Sequence, residues 1–212
     1  AGKFDLSMFD YVDAIIFVGG LSPKLEGEEM RVNFKGFKGG DRTSIELPET
    51  QREYIAALKQ TGKPVIMVNL SGSAVALAPE VENCDAILQA WYGGQAQGQA
   101  ICDAVYGDIN PSGKLTSTWY NSISELPSES ASAKNYSSFG RKGMMEYNID
   151  DWGYTYMYYG RGEMNPCQAE KPMYPFGYGL SYTTFEYAGM ELSGSSIAKG
   201  GTLSVKAAIK NT

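Results

Sequence analysis

Short apolar runs alternate with amphipathic segments through the first half of the chain, and each run closes on glycine or serine. Asp13-Ala14-Ile15-Ile16-Phe17-Val18 is rich in β-branched and aromatic residues and ends at Gly19-Gly20, which predicts a buried strand. Leu47-Pro48-Glu49 predicts a helix start: proline suits the first turn, and an early acid complements the positive end of the helix dipole. Ile55, Ala56 and Leu58 share one face of that helix, which ends at Thr61-Gly62. Val65-Ile66-Met67-Val68-Asn69-Leu70 predicts a second strand, closed by Ser71-Gly72-Ser73. Residues 74–81 predict a short helix, and the run from Ala86 to Tyr92 a third strand, closed by Gly93-Gly94. Gln95 to Tyr106 has helical period, with Ala100, Ile101, Ala104 and Val105 on the inward face. Leu115 to Tyr120 alternates like a strand, whereas Met30 to Gly40, with three glycines and no period, predicts a loop.

Strands alternating with helices at this spacing predict the α/β class: a mostly parallel sheet with helices on both faces, a three-layer sandwich. The Gly- and Ser-rich turns after the first three strands then share one edge, the carboxyl edge, where open sheets bind ligands. After Asn121 the pattern changes. Ser124 to Ser138 is serine-rich and irregular, and Tyr147 to Tyr159 is aromatic. From Thr183 a period of two sets in, through Phe185, Tyr187 and Leu192 and then Leu203, Val205, Ala207 and Ile209. The expected organisation is an α/β domain over 1–182, truncated at its N-terminus, followed over 183–212 by the first strands of a β-sandwich domain. Two strands are too few to stand alone, so the chain reads as a piece of a larger protein.

Composition removes several function classes. The 212 residues are 43% hydrophobic and 20% charged, with a net charge of -6. An acidic chain without clustered Lys or Arg lacks the basic face that nucleic acid requires. No apolar run approaches the roughly 20 residues of a membrane span. There is no histidine, so neither a Ser-His-Asp nor a Cys-His mechanism, nor a histidine metal site, can be built within it. Cys84, Cys102 and Cys167 form no CxxC pair, which argues against a zinc site or a disulfide framework. No strand is followed by GxGxxG or a P-loop. No metal and no cofactor are expected. Most of the 15 tyrosines fall between Tyr136 and Tyr187. Tyrosine joins a flat apolar face to a polar tip, which suits a sugar cleft as well as an ordinary β-rich surface.

The densest candidate chemistry follows the first strand. Gly19-Gly20-Leu21-Ser22-Pro23-Lys24-Leu25 leads into Glu26-Gly27-Glu28-Glu29, three carboxylates in four residues on the expected ligand-binding edge. Adjacent carboxylates repel, and one of such a set tends to keep its proton to higher pH, which suits a general acid. Trp91 and Tyr92, at the end of the third strand, are placed either to stack on a sugar face or to pack the sheet edge.

Four motifs carry a resemblance. Gly40-Asp41-Arg42 with Leu47-Pro48 and Gln51 resembles the "D-R … L-P-x-x-Q" of family 3 glycoside hydrolases, the β-glucosidases and β-xylosidases. Trp91-Tyr92-Gly93-Gly94-Gln95 resembles the family's "W-Y-x-G-Q". Gly107-Asp108-Ile109-Asn110-Pro111-Ser112-Gly113-Lys114-Leu115 resembles its "G-x-x-N-P-S-G-K-L", and Tyr174-Pro175-Phe176-Gly177-Tyr178-Gly179-Leu180-Ser181-Tyr182-Thr183 the segment that closes its second domain. The four occur in order and cover residues 13 to about 185.

The resemblance implies an N-terminal barrel, an α/β sandwich domain and a fibronectin-type-III-like domain, of which this chain would hold most of the second and the opening strands of the third. It implies an exo-acting retaining β-glycosidase acting on oligosaccharides, β-xylosides or β-glucosides, secreted or periplasmic. The nucleophile, an aspartate in a Ser/Thr-Asp-Trp context, would come from the barrel as the partner domain. Asp151-Trp152 follows Asp150 and does not fit that context. The sandwich domain would supply the acid/base glutamate from an acidic "E-x-E" segment ahead of Asp-Arg. Glu26-Gly27-Glu28 fits, Glu28 is assigned the role, and Glu26 and Glu29 stay as alternatives because residues 30–40 intervene before Asp41. Asp41 and Arg42 are expected to pair and order the loop or to cap the next helix. Gly177 and Gly179 are expected in a tight linker, and Tyr154, Tyr156, Tyr158 and Tyr159 over an interdomain surface. The other reading is a non-catalytic carbohydrate-binding or interaction module that kept the fold.

Overall fold

The computed structural model describes residues 4–26, 30–38, 41–125, 156–159 and 171–212. Its centre is a three-stranded parallel sheet of β1 (Ile15–Gly20), β4 (Val65–Leu70) and β5 (Ala86–Gln89), in the order β1-β4-β5. Between β1 and β4 lie a single helical turn α1 (Pro23–Glu26), the two-residue strands β2 (Phe37–Lys38) and β3 (Asp41–Arg42), and helix α2 (Glu49–Lys59). Helix α3 (Ala78–Asn83) joins β4 to β5, and α4 (Gln97–Tyr106) follows β5. An antiparallel pair, β6 (Phe185–Leu192) and β7 (Val205–Asn211), closes the described chain.

The α/β class read from the pattern is what forms, because the apolar face of α2 and alternate residues of the sheet need one another. Ile15 and Phe17 of β1 and Val65 and Met67 of β4 pack around Tyr54, Ile55 and Leu58 of α2. Glu49 in the first turn and Lys59 in the last oppose the helix dipole. The C-terminal carbonyl of Leu58 accepts from the Thr61 hydroxyl at 2.7 Å, so the helix end is satisfied before the chain turns at Gly62. Asp85 then fixes the start of β4: its carboxylate accepts from the Val65 amide at 2.9 Å and from Lys59 Nζ at 3.3 Å.

Several boundaries differ from the sequence reading. The third strand stops at Gln89 rather than Tyr92, because Trp91 takes a left-handed backbone, φ 53°, that no ladder accommodates. The short helix begins at Ala78, with Pro79 in its first turn. The expected loop over 30–40 carries β2, paired antiparallel with β3 through Phe37↔Arg42 and Lys38↔Asp41. The inward face expected of α4 is not buried among the described residues: Ala100 is exposed, and Ile101, Ala104 and Val105 are half-buried.

Leu115 to Tyr120 forms no strand but one bridge, Trp119↔Tyr174. Its partner segment has Pro175, which lacks an N–H, and Gly177 at φ 80°, so the ladder cannot propagate. The pairing is sparse but specific, with Leu115 N–H donating to Tyr178 O and Gly177 N–H to Leu115 O, both at 2.8 Å. Gly179 approaches Gly113 closely, so this segment is held against the one that ends at Leu115. Of the four tyrosines expected over an interdomain surface, Tyr154 lies outside the described residues, Tyr156 is exposed, and Tyr159 is buried edge-on against Tyr120.

Candidate active site

β1, β4 and β5 run parallel, so their carboxyl ends meet at one edge of the sheet. The chain leaves β1 through Gly20, which lies against Leu70: a Cβ at Gly20 would sit 2.0 Å from the Leu70 carbonyl oxygen, and φ is +129°. Only glycine fits there. Leu21 N–H then donates to that same carbonyl at 2.7 Å. Ser22 opens α1, its carbonyl accepting from Leu25 at 2.8 Å and from Glu26 at 2.9 Å. One turn is enough to swing Glu26 back over the ends of β4 and β5.

There the carboxylate of Glu26 meets groups from three other segments. Oε1 accepts from the Gly72 amide at 3.0 Å. Oε2 accepts from the Ser73 hydroxyl at 3.2 Å. Arg42 Nη1 lies 3.9 Å from Oε2 and donates to Ser73 Oγ at 3.1 Å, so Ser73 receives a hydrogen from the guanidinium and passes its own to Glu26. Arg42 Nε donates to the Ser44 carbonyl at 3.1 Å. The Tyr92 hydroxyl lies 2.5 Å from the Leu21 carbonyl and 3.3 Å from Glu26 Oε1, and its one hydrogen is shared between them.

The floor of the site is a polar network at the strand ends. Asn69 and Ser71 are fully buried. Asn69 Nδ2 donates to Gln89 Oε1 at 2.5 Å and to Ser71 Oγ at 3.2 Å, and the Ser71 hydroxyl donates to the Ser73 carbonyl at 2.8 Å. These bonds fix the two side chains, although the buried Asn69 Oδ1 has no hydrogen-bond partner among the described residues. Gly72 leaves room for the tyrosine, since a Cβ there would meet Tyr92 Cε2 at 2.8 Å.

Electrostatics follow from packing. Burial draws the Arg42 guanidinium below its ordinary value, while Glu26, Glu46 and Tyr92 oppose that shift. A guanidinium keeps its charge regardless. Burial, and then the neighbouring Glu26 charge, push the Tyr92 phenol up, so it stays a neutral donor. Beside the cluster is a cavity of about 340 Å³ lined by residues that include Leu21, Phe34, Phe37, Arg42, Glu46 and Arg52.

Of the expected site residues, the structure brings Glu26 and Tyr92 together at the carboxyl edge. Trp91 is adjacent, its ring edge-on to Trp119 with centroids 6.0 Å apart, packed against the main core. Glu28 and Glu29 lie outside the described residues, as does the side chain of Asp41. Arg42 pairs with Glu26, through which it ties the acidic segment to the strand ends. The roles of Gly72 and Ser73 were not read from the sequence. Serine and glycine after a strand announce a turn, and nothing in their spacing points to a carboxylate so far away in the chain. Among the described residues no cluster of His, Cys, Asp or Glu could hold a metal ion, and no helix is long and apolar enough to cross a membrane.

An α/β domain that gathers a carboxylate, a guanidinium, a serine and a tyrosine at the carboxyl ends of a parallel sheet is built for ligand chemistry at that edge. Residues 6–182 match the Glycosyl hydrolase family 3 C-terminal domain. The chain belongs to that family. It is 47% identical over 201 residues to a xylan 1,4-beta-xylosidase of Xylanibacter ruminicola, covering 95% of this chain and 20% of that protein. It is 38% identical over 176 residues to a periplasmic beta-glucosidase of Salmonella typhimurium, covering 82% of this chain and 21% of that one. Among solved structures, the GH3 beta-glucosidase of Bifidobacterium adolescentis superposes with a TM-score of 0.65 at 28% identity, over 96% of this chain and 26% of that chain. The chain thus spans about a fifth to a quarter of these relatives.

Proposed function

We propose that this chain is the part of an exo-acting, retaining β-glycosidase that supplies the general acid/base carboxylate, Glu28, from the acidic segment after β1. The nucleophilic carboxylate comes from a barrel elsewhere in the full-length protein, and the substrates are oligosaccharides carrying β-xylosyl or β-glucosyl ends. In such a reaction one carboxylic acid protonates the departing glycosidic oxygen while a second carboxylate, about 5–5.5 Å away, attacks the anomeric carbon. The first group then takes a proton from the water that releases the sugar. The observation that carries the reading is the anchoring of Glu26, two residues before Glu28, at the carboxyl edge of the sheet and beside a cavity. The names of the relatives support the substrate class. The Salmonella relative's name supports a secreted or periplasmic setting. The exposed β6–β7 pair after residue 183 agrees with the start of a further β-domain.

Glu28→Gln in the full-length protein tests the assignment. Turnover of glycosides with poor leaving groups should fall on the order of 10²–10⁴-fold, the usual worth of general acid–base catalysis. Activated aryl glycosides should lose much less in glycosylation, and azide should restore their turnover by replacing water. Equal, small losses on both substrate types sink the assignment of Glu28.

A further inference from the structure

Glu28 as the acid leaves Glu26 without a task, although its carboxylate is anchored at the carboxyl edge of the sheet. We infer that Glu26 is a positioning residue: with Arg42 and Ser73 it ties the end of α1 and strand β3 to the ends of β4 and β5, and so limits the reach of Glu28, two residues further along the chain. This inference rests on the acid/base reading of Glu28.

Its two oxygens already accept from the Gly72 amide, at 3.0 Å, and the Ser73 hydroxyl, at 3.2 Å. Arg42 stands on the same side. Every one of these partners donates, so Glu26 is used here as an acceptor. A general acid has the opposite need: a proton directed at the leaving oxygen. The partners also come from separate places. Gly72 and Ser73 follow β4, Tyr92 follows β5, and Arg42 belongs to β3, where the chain returns from its excursion. Glu26 at the end of α1 and Arg42 of β3 are therefore held in one cluster, with Ser73 between the carboxylate and the guanidinium.

Covalent geometry converts that clamp into a position. Two residues span at most about 7 Å, so the Glu28 backbone cannot stray further than that from the Glu26 Cα. Displacements of about 1 Å at a reacting group can cost on the order of 10²-fold in rate. A clamp at this distance is therefore able to govern turnover without touching substrate. Glu26 and Arg42 side chains are only 21% and 14% exposed, which spares the cluster much of the screening that weakens surface pairs.

The test uses the full-length protein with paired aryl glycosides of good and poor leaving groups. Because it acts through Glu28, Glu26→Ala should lower kcat by roughly 10- to 100-fold on poor leaving groups and by less on good ones, with no azide rescue because Glu28 is still present to activate water. Glu26→Gln keeps an oxygen for Gly72 and Ser73 and should return to within about fivefold of the parent. Selective loss on poor leaving groups with azide rescue in Glu26→Gln would make Glu26 the acid itself and overturn the inference. So would an unchanged kcat in Glu26→Ala. If Glu26→Ala does not fold, Ser73→Ala replaces it: a loss of about 3- to 10-fold on poor leaving groups, smaller on good ones, supports the clamp, and parent-like kcat overturns it. Glu28→Gln is run alongside. If it lacks the leaving-group signature, the acid/base reading fails, whatever the Glu26 variants do.

Discussion

Gln51 grips the backbone of Gly20 with both ends of its amide: Nε2 donates to the Gly20 carbonyl and Oε1 accepts from the Gly20 amide, each at 2.8 Å. α2 thereby holds the last residue of β1, one step before the segment that leads to Glu26. No backbone partner could replace it, because the Gly20 N–H and C=O would otherwise belong to the next strand of a ladder. Gln51→Ala leaves both groups unpaired and should destabilise the protein by about 2–3 kcal/mol. Gln51→Glu keeps the acceptor but sets a carboxylate oxygen against the Gly20 carbonyl, so its loss should be larger at pH 7 than at pH 4. Urea unfolding at the two pH values measures this. Equal losses at both would mean that the donor half of the grip contributes nothing.

Glu80 of α3 is 1% exposed and faces Arg52 of α2 across 3.5 Å, Nε to Oε1. Burial raises the Glu80 carboxyl above its ordinary range, against the pull of Arg52. The native state therefore holds this proton more tightly than the unfolded chain does. The sign follows: the Glu80 contribution to stability is greatest below the unfolded value near 4 and declines as pH rises through the folded one. Arg52→Met removes the opposing charge, so it should cost about 1–3 kcal/mol at pH 7, scaled down because Arg52 is partly solvated, and less at pH 4. Adding Glu80→Gln should recover part of the loss. Chemical unfolding of the single and double variants across that range gives the answer, and a loss independent of pH would contradict it.

The cysteines differ in reach and in chemistry. Burial, reinforced by Glu80 and Asp85, pushes the Cys84 thiol up to about 11. The thiolate is the reactive species, so Cys84 should stay unlabelled by iodoacetamide at pH 8 in the native protein. Cys102, exposed on α4, should react before Cys84. Peptide mass spectrometry separates the sites. Addition of urea should release Cys84 to the rate of an ordinary thiol, and native labelling of Cys84 at the Cys102 rate would be incompatible with its burial.

How far these arrangements were legible depends on the range of the interaction that makes them. The strands β1, β4 and β5 and the helix α2 were readable because local apolar period and Gly or Pro punctuation decide them. The shared carboxyl edge followed from alternation alone. The left-handed Trp91 was not readable, since nothing nearby in sequence demands it. Nor was the failure of 115–120 to become a strand, which is decided by Pro175 and Gly177 some 60 residues later. The same holds for Glu26. Its carboxylate was visible as chemistry, but its partners at 42, 72, 73 and 92 are joined to it only by the fold.

Two motif segments that are far apart in sequence meet at Gly179. A Cβ on Gly179 would lie 2.2 Å from the Gly113 carbonyl oxygen and 3.0 Å from Lys114 Cδ, and Lys114 Nζ donates to the Gly179 carbonyl. On either side, Asn110 Nδ2 donates to Ser181 Oγ at 2.9 Å and Tyr182 N–H to Asn110 Oδ1 at 3.2 Å. Backbone cannot move aside as a side-chain tip can, so Gly179→Ala must part the two segments, at about 1–3 kcal/mol. Gly177 offers the control. It has φ 80° but open space around the Cβ position, so Gly177→Ala carries only the left-handed penalty of roughly 1–2 kcal/mol, and Gly177→Asn less. Hydrogen exchange should separate the two. Gly179→Ala should deprotect the Leu115 and Tyr182 amides together, whereas Gly177→Asn should leave both protected. Loss of protection in both variants alike would mean that the close approach at Gly113 does not hold these segments together.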